Sequence, residues 1–278
     1  MLGWRARTLG GIALVALTSY WVLGLSVRDL APSRGGLALA GELFTRALQP
    51  AVVYEGASVP PGTMPLPIKA LLAAWRTLAF AACAIGLAAG GGAVLGLLGA
   101  ASWWRGDPLR GTGPTRARFV GLAAARLLSA GMRSVHELLW AVLLLAAFGI
   151  TPYAAIAAIA IPYAGTLAKV FAELIDEAPL NSADALRALG ASPIQAFACG
   201  QLPGALPDLL AYLLYRFECA LRSSAVLGFF GFPTLGYFVA ASFENLHFGE
   251  VWTYLYALAA LVIGLDAYSA ALRRQLAR

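Results

Sequence analysis

The sequence has few charged residues and few of the side chains that build metal or catalytic sites. Only 12% of its 278 residues are charged, and lysine and histidine occur twice each. The three cysteines, Cys83, Cys199 and Cys219, are widely separated, and an odd, scattered set argues against a disulfide framework and against a zinc site. We therefore expect no metal site, no catalytic residue and no cofactor bound by this chain.

Patterns that bind nucleotides or nucleic acids are also missing. Neither lysine follows a glycine, so the phosphate-binding pattern GxxxxGK[ST] does not occur. No basic stretch is interleaved with aromatic residues, so the net charge of +6 does not indicate a nucleic-acid partner. The sequence contains no Ser/His/Asp cluster and no HExxH motif. It therefore does not favour another possible class, a membrane-embedded enzyme.

Apolar residues are abundant instead. They make up 60% of the sequence, and the mean hydropathy of +0.75 lies outside the range of soluble domains. A helix needs about 20 mainly apolar residues to cross a bilayer. The pattern predicts an all-α, polytopic membrane protein with about six transmembrane helices. The predicted spans are residues 10–27, 66–101, 138–150, 153–175, 205–231 and 251–272.

Two of these spans need a further assumption. Residues 10–27 could instead form a signal peptide, but no clear small-x-small cleavage site follows them, so we predict a retained helix. Residues 138–150 are too few to cross alone. We expect the third span to begin earlier, with residues 116–132 forming a helix that leads into it.

The arginines indicate which side of the membrane each loop occupies. Cytoplasmic loops carry the excess of arginine. Ten arginines fall on the side of the termini and three on the other, which predicts cytoplasmic termini and a cytoplasmic segment 181–203. For the domains, we expect an N-terminal helix with a periplasmic segment over residues 1–66 and a membrane core over residues 67–278.

The polar segment 181–203, which we call the docking loop, reads as two short helices joined by a sharp turn. Asn181 or Ser182 is the expected N-cap of the first helix, with Asp184 in its first turn. Gly190 stands where a helix end favours positive φ. The second helix is predicted to start at Ser192–Pro193 and to end at Leu202–Pro203, where the next span begins.

The docking loop resembles the signature loop of ABC importer permeases. That signature is Glu-Ala-Ala, three residues, Gly, nine residues, an apolar residue, any residue, then Leu-Pro. The matching residues are Asp184, Ala185, Leu186, Gly190, Leu202 and Pro203. The departures are Asp for Glu, Leu186 for the second Ala, and Gly200 at the apolar position. The resemblance implies two separate ATPase subunits, which bind the ATP and Mg²⁺ that this chain does not.

Other segments resemble the permeases of phosphonate-type ABC importers. They are residues 133–141, 167–173 and 215–228. The resemblance implies a type I ABC importer permease fold in a bacterial inner membrane, a second permease subunit (identical or paralogous), a periplasmic binding protein, and uptake of phosphonate, phosphite or a related oxyanion. Alternatives are another small solute, such as sulfate or an organic anion, or a passive channel. Family members carry a glycine-rich run at the position of residues 231–236, and this chain keeps only the glycines at its two ends. We expect a gate at Gly231, Pro233 and Gly236.

Charged residues inside the predicted spans are candidates for the translocation path or for ion pairs between helices. On the fifth span, Glu218 and Arg222 are four apart and are predicted to pair. Arg216 lies on the opposite side of that helix. Its predicted partner is Glu137 or Glu173.

Overall fold

The computed structural model describes residues 3–24, 26, 33–56, 60, 62–104 and 116–276. Within these ranges every regular element is helical and no β-strand occurs, which confirms the all-α prediction. The helices are α1 Trp4–Val22, α2 Arg34–Arg46, α3 Leu66–Gly99, α4 Arg116–Ser134, α5 Glu137–Phe148, α6 Pro152–Glu177, α7 Asn181–Ala188, α8 Pro193–Ala196, α9 Leu202–Val226, α10 Leu235–Glu244 and α11 Phe248–Leu276. Short 3₁₀ turns lie at Ser102–Trp104 and Leu227–Phe230, and a π-helical turn lies at Phe197–Gln201.

The chain divides into two compact units, Met1–Gln49 and Pro50–Arg278. The first unit contains α1 and α2. Helix α1 begins at Trp4 and ends at Val22, so it starts and stops earlier than the predicted span 10–27. Helix α2 follows in the chain, and the Ser33 hydroxyl caps it by accepting from the Gly36 amide at 3.0 Å.

The second unit contains the helices that are long and apolar enough to cross a membrane. In the described residues, α3, α6 and α11 meet this criterion singly, and two bent pairs meet it jointly, which gives three spans, or five if each pair is one span. These five correspond to predicted spans two to six. Helix α1 does not meet the criterion, because polar residues at both of its ends dilute its apolar centre.

The third predicted span is a broken one. Helix α4 leads into α5, as expected, but the two helices meet at 87°. His136 lies at the break, and its Nδ1 accepts from the Leu138 amide at 3.3 Å. This side chain caps α5, so Glu137 starts a new helix.

Helices α3 and α6 form the centre of the second unit. The two backbones approach closely because α3 presents glycines to α6. A Cβ at Gly92 would lie 2.6 Å from the Leu167 Cβ, and one at Gly96 would lie 2.8 Å from the Phe171 Cβ. Most of α6 is consequently buried, and its last residues lead directly into the docking loop.

Candidate functional site

The docking loop begins with α7. Its N-cap is Leu180, whose carbonyl accepts from the Asp184 amide at 2.8 Å, so the predicted cap at Asn181 or Ser182 is wrong. Both of those residues already have helical geometry and lie inside the first turn. Asp184 is in that first turn, as predicted, and pairs with Arg187 at 3.2 Å. Leu186 is partly buried, whereas Ala185 is exposed.

The turn after α7 follows the prediction. Gly190 has φ of +89°, a conformation that disfavours residues with a side chain. The next helical turn starts with a capping box, in which the Ser192 hydroxyl accepts from the Gln195 amide and the Gln195 side chain accepts from the Ser192 amide. Pro193 occupies the first helical position.

The prediction that Leu202–Pro203 ends the second helix is wrong. The chain from Pro193 to Phe230 runs through α8, the π-helical turn and α9 without a break. Pro203 has no N–H, and its ring would clash with the carbonyl four residues earlier in a regular helix. The carbonyl four residues before Pro203 belongs to the π-helical turn Phe197–Gln201. Because this turn is wider than an α-helical turn, it leaves room for the proline ring and the helix continues. The docking loop is therefore continuous with a predicted span.

Two residues of the π-helical turn attach the docking loop to its neighbours. Gly200 packs against α7 so closely that a Cβ there would lie 2.6 Å from the Ala183 Cα. Gln201 is buried, and its Nε2 donates to the Ile175 carbonyl at 2.7 Å. In the sequence, Gly200 is a departure from the signature. The close packing shows why an apolar side chain cannot stand there.

The outward surface of the docking loop carries exposed apolar side chains. Leu189 is 86% exposed and Ile194 is 65% exposed, on either side of the turn at Gly190. A helical turn held at both ends and bearing exposed leucine and isoleucine is suited to packing against another protein.

Asp176, near the end of α6, holds the chain that follows α3. Its carboxylate accepts from the Ala101 and Ser102 amides at 2.9 and 2.8 Å, and lies 3.6 Å from the Arg126 guanidinium. Arg126 also donates to the Gly99 carbonyl at 3.0 Å. This contact set was not predicted, because it joins residues that are far apart in sequence.

Arg216 on α9 is surrounded by tyrosines. Its Nε donates to the Tyr212 hydroxyl at 2.8 Å, and its guanidinium carbon lies 5.3–6.0 Å from the ring centroids of Tyr163, Tyr212 and Tyr215. In the described part of the chain it forms no ion pair, so the predicted pairing with Glu137 or Glu173 is wrong. Cation–π contacts take the place of a carboxylate.

The predicted Glu218–Arg222 pair is also absent from the described residues. Glu218 instead lies 3.7 Å from Arg273 on α11. Arg222 is exposed, and its guanidinium contacts the Cys219 Sγ at 3.6 Å. A neighbouring helix competes for Glu218, and helical spacing alone could not reveal that competitor.

Glu137 and Glu173 lie in separate polar groups. The Ser223 hydroxyl donates to Glu137 at 2.9 Å and lies 3.0 Å from the Tyr163 hydroxyl, so this group links α5, α6 and α9. Glu173 lies 3.4 Å from Lys169 on the same helix.

The segment predicted as a gate forms the bend between α9 and α10. Gly231 has φ of +89°, and a Cβ on Gly236 would collide with the Ala225 carbonyl oxygen. The Leu235 amide donates to the Thr77 hydroxyl at 3.0 Å, and the Thr234 hydroxyl donates to the Ala225 carbonyl at 3.1 Å. Pro233 is partly buried within this pinned segment.

A buried carboxylate lies beside this bend, at the end of the bundle away from the docking loop. Glu250 accepts from the Glu55 amide at 2.9 Å and from the Ser242 hydroxyl at 3.1 Å. Glu55 in turn accepts from the Gly249 amide at 3.0 Å. Burial raises the pKa of the nearby Tyr54 hydroxyl, and the negative charge of Glu250 raises it further.

Comparisons with known proteins agree with this architecture. Residues 116–278 match the family model described as "Binding-protein-dependent transport system inner membrane component". The chain is 33% identical over 173 residues to the putative phosphite transport system permease protein HtxE of Stutzerimonas stutzeri, covering 62% of this chain and 65% of that protein. It is 34% identical over 153 residues to the phosphite transport system permease protein PtxC of the same organism, covering 54% of each. The matched region thus spans about half to two thirds of these relatives. A chain of the MetNI methionine ABC transporter superposes with a TM-score of 0.61 at 22% identity, covering 75% of this chain and 96% of that one, which supports the fold.

Proposed function

Because the chain belongs to the family of binding-protein-dependent transport system inner membrane components, we propose that it is the permease subunit of an ATP-driven importer. It is a multi-pass membrane protein of the type I ABC importer permease fold. The proposed complex contains a second permease subunit, two ATPase subunits that bind ATP and Mg²⁺, and a periplasmic binding protein. Both termini lie in the cytoplasm in this proposal.

The docking loop is the observation that carries the ATPase partnership. It is rigid, because Gly200, Gln201 and the capping box hold it, and it is continuous with α9. Its exposed Leu189 and Ile194 offer an apolar contact surface. A displacement of this loop by a partner would therefore move α9 and the end of α6 together.

The proposed cargo is phosphite, a phosphonate or a closely related oxyanion. The names of the two relatives at 33% and 34% identity support this choice. Arg222 supports it too: among the residues that the structure describes, this exposed guanidinium makes only a weak sulfur contact, so it can face an anion in the assembled permease. We propose that Arg222 lines the path, that the Glu218–Arg273 pair and the Arg216 tyrosine cluster are structural, and that Gly231, Pro233 and Gly236 form part of a gate.

Affinity purification tests the ATPase partnership. We expect the tagged chain, extracted from its native membrane in mild detergent, to bring a P-loop ATPase with it. Gly190→Val should abolish this association, because valine strongly disfavours φ of +89°. Gly204→Val is the matched control, since a Cβ at Gly204 meets nothing within 4 Å. Recovery of the folded chain without an ATPase would overturn the proposal.

Uptake assays test the cargo separately. Cells carrying the complete transporter should take up phosphite or methylphosphonate in an ATP-dependent manner, in competition with each other. Uptake of sulfate or an organic anion alone would replace the cargo and leave the transporter class intact.

A further inference from the structure

We propose that a pocket between α3, α4 and α6, next to the docking loop, binds a single phosphate-type oxyanion. The pocket has a volume of about 270 Å³. Its charged lining comes from Arg126 and Arg133 on α4 and from Lys169 and Glu173 on α6. The proposal rests on the proposed function for the choice among oxyanions, but not for the existence of the site.

The shape of the pocket follows from small residues on the facing helices. Gly99 of α3 and Ala168 and Ala172 of α6 line its apolar side, and a Cβ at Gly99 would lie 3.4 Å from the Ala172 Cβ. Because these residues have little or no side chain, the longer side chains of α4 and α6 can reach over an open space. That space suits a small anion better than a peptide or a drug-sized molecule.

The charges around the pocket favour a negative ligand. Three cationic side chains and one carboxylate line it, and Asp176 beside Arg126 leaves an excess of one positive charge. Arg126 lies 3.6 Å from Asp176, and Lys169 lies 3.4 Å from Glu173. Arg133 has no ion pair with any residue that the structure describes, although Arg126 and Arg133 are seven residues apart on one face of α4. Arg133 thus provides an uncompensated guanidinium, which can bind two oxygens of a phosphate-type anion at once.

The location makes the pocket accessible to anions from water or from lipid headgroups. Helix α3 has 34 residues, about 50 Å of helix, whereas the hydrocarbon core of a bilayer is about 30 Å thick. The pocket lies at Leu95 and Gly99, at the end of α3 that faces the docking loop. Free phosphate, phosphite or a phosphonate could bind here, and so could the phosphate group of an anionic lipid.

Occupancy of the pocket would act on the docking loop. The anion would bridge Arg133 of α4 and Lys169 of α6. Two residues within two turns of Lys169 make these connections. The Ile175 carbonyl holds Gln201 of the docking loop, and the Asp176 carboxylate holds the chain after α3. A bound anion would therefore stiffen the part of α6 from which the docking loop is held.

Binding measurements on the full-length chain in nanodiscs test the proposal. In discs of phosphatidylcholine alone, phosphite and inorganic phosphate would be titrated by calorimetry. In discs containing phosphatidylglycerol, retained lipid would be counted by native mass spectrometry. We expect R133Q to weaken binding of the free anion, or retention of the anionic lipid, about 10-fold or more.

Two further variants exclude a general effect of charge or folding. E173Q removes the carboxylate that competes for Lys169, so it should tighten binding, which a purely structural cluster would not predict. R274Q removes one positive charge in the last turn of α11, outside the pocket lining, and should leave binding unchanged. Circular dichroism would show that all three variants keep their helical content.

Each outcome bears on the site independently of the transported cargo. Loss of free-anion binding in R133Q identifies a soluble oxyanion, and loss of lipid retention alone identifies a headgroup; both support the site. Equal binding of every ligand by R133Q, E173Q and the unmodified chain would overturn it. If phosphite is imported but the pocket binds no anion, only the proposal of the anion site is wrong. If the pocket binds an anion but phosphite is not imported, only the proposed cargo is wrong.

Discussion

The two ends of the bundle are held by similar contacts but leave different surfaces exposed. At the docking-loop end, Asp176 accepts from two backbone amides, and Gly200 lets α7 pack closely on the π-helical turn. At the other end, Glu250 accepts from a backbone amide and a hydroxyl, and Gly236 packs on the Ala225 carbonyl.

The difference lies in burial. Glu250 is buried, whereas the docking loop exposes Leu189 and Ile194. A carboxylate that caps backbone amides gives either end rigidity. On the docking loop, the exposed Leu189 and Ile194 add an apolar surface for the proposed protein partner. Under the proposed function, rigidity and partner binding come from different residues, so they can be altered separately.

The largest expected effect comes from overfilling the bend between α9 and α10. Gly236→Val places side-chain atoms on the Ala225 carbonyl. We therefore expect the free energy of unfolding to fall by about 3 kcal/mol or more, with little folded protein recovered. Detergent-based thermal unfolding and yield would measure it. Gly86→Val is the control within α3, where a Cβ meets nothing within 4 Å. Equal yields for both variants would contradict the role of Gly236.

Removing the carboxylates should have the next largest effect and should separate the two ends. Asp176→Ala and Glu250→Ala each leave backbone amide or hydroxyl donors without their acceptor. We expect the free energy of unfolding to fall by about 2–3 kcal/mol in each case. Thermal unfolding would measure the loss. Asp176→Ala should additionally weaken ATPase association, because α6 holds the docking loop through the Ile175 carbonyl. Weakened association in Glu250→Ala to the same degree would argue against a local role for Asp176.

Leu189→Asp should change partner binding while leaving stability within about 0.5 kcal/mol. Leu189 is 86% exposed, so its replacement disturbs no core, yet it places a charge on the proposed contact surface. Co-purification with the ATPase would be compared with the thermal midpoint. Leu246→Asp is a matched control, since this 56% exposed leucine lies between α10 and α11. An unchanged ATPase yield in Leu189→Asp would place the interface elsewhere.

The smallest structural effect is expected for Arg222→Lys. Within the described part of the chain, the Arg222 side chain makes one weak contact, with Cys219, so assembly should survive. Transport of the oxyanion should decline, because lysine cannot present two parallel N–H donors. Initial uptake rates and size-exclusion profiles would be measured together. Loss of assembly would show instead that Arg222 is a packing residue of the permease pair.

Local signals in the sequence predicted much of the docking loop. The positive φ of Gly190 and the cap at Ser192–Pro193 are confirmed, because each depends on residues within one or two turns. The end of the second helix was wrong, since the π-helical turn lets the helix continue through Pro203. The roles assigned to the docking-loop, path and gate residues stay predictions.

The charged residues inside the helices show where such reasoning stops. Helical spacing put Glu218 and Arg222 on one face, but it could not show that Arg273 of α11 lies beside Glu218. It could not show that Arg216 is surrounded by three tyrosines either. Long side chains choose among partners on several helices, and the outcome depends on helix positions that no local pattern contains.

By itself, the sequence determined the helical class, most of the predicted spans, and the docking loop's turn at Gly190 and helix start at Ser192–Pro193, because hydropathy, caps and turn residues act over a few positions. Only the tertiary structure decided which charges pair, why Gly200 and Gly236 cannot carry a side chain, and where the basic pocket beside the docking loop lies. Those features depend on contacts between helices far apart in the chain, which exist only once the helices have packed.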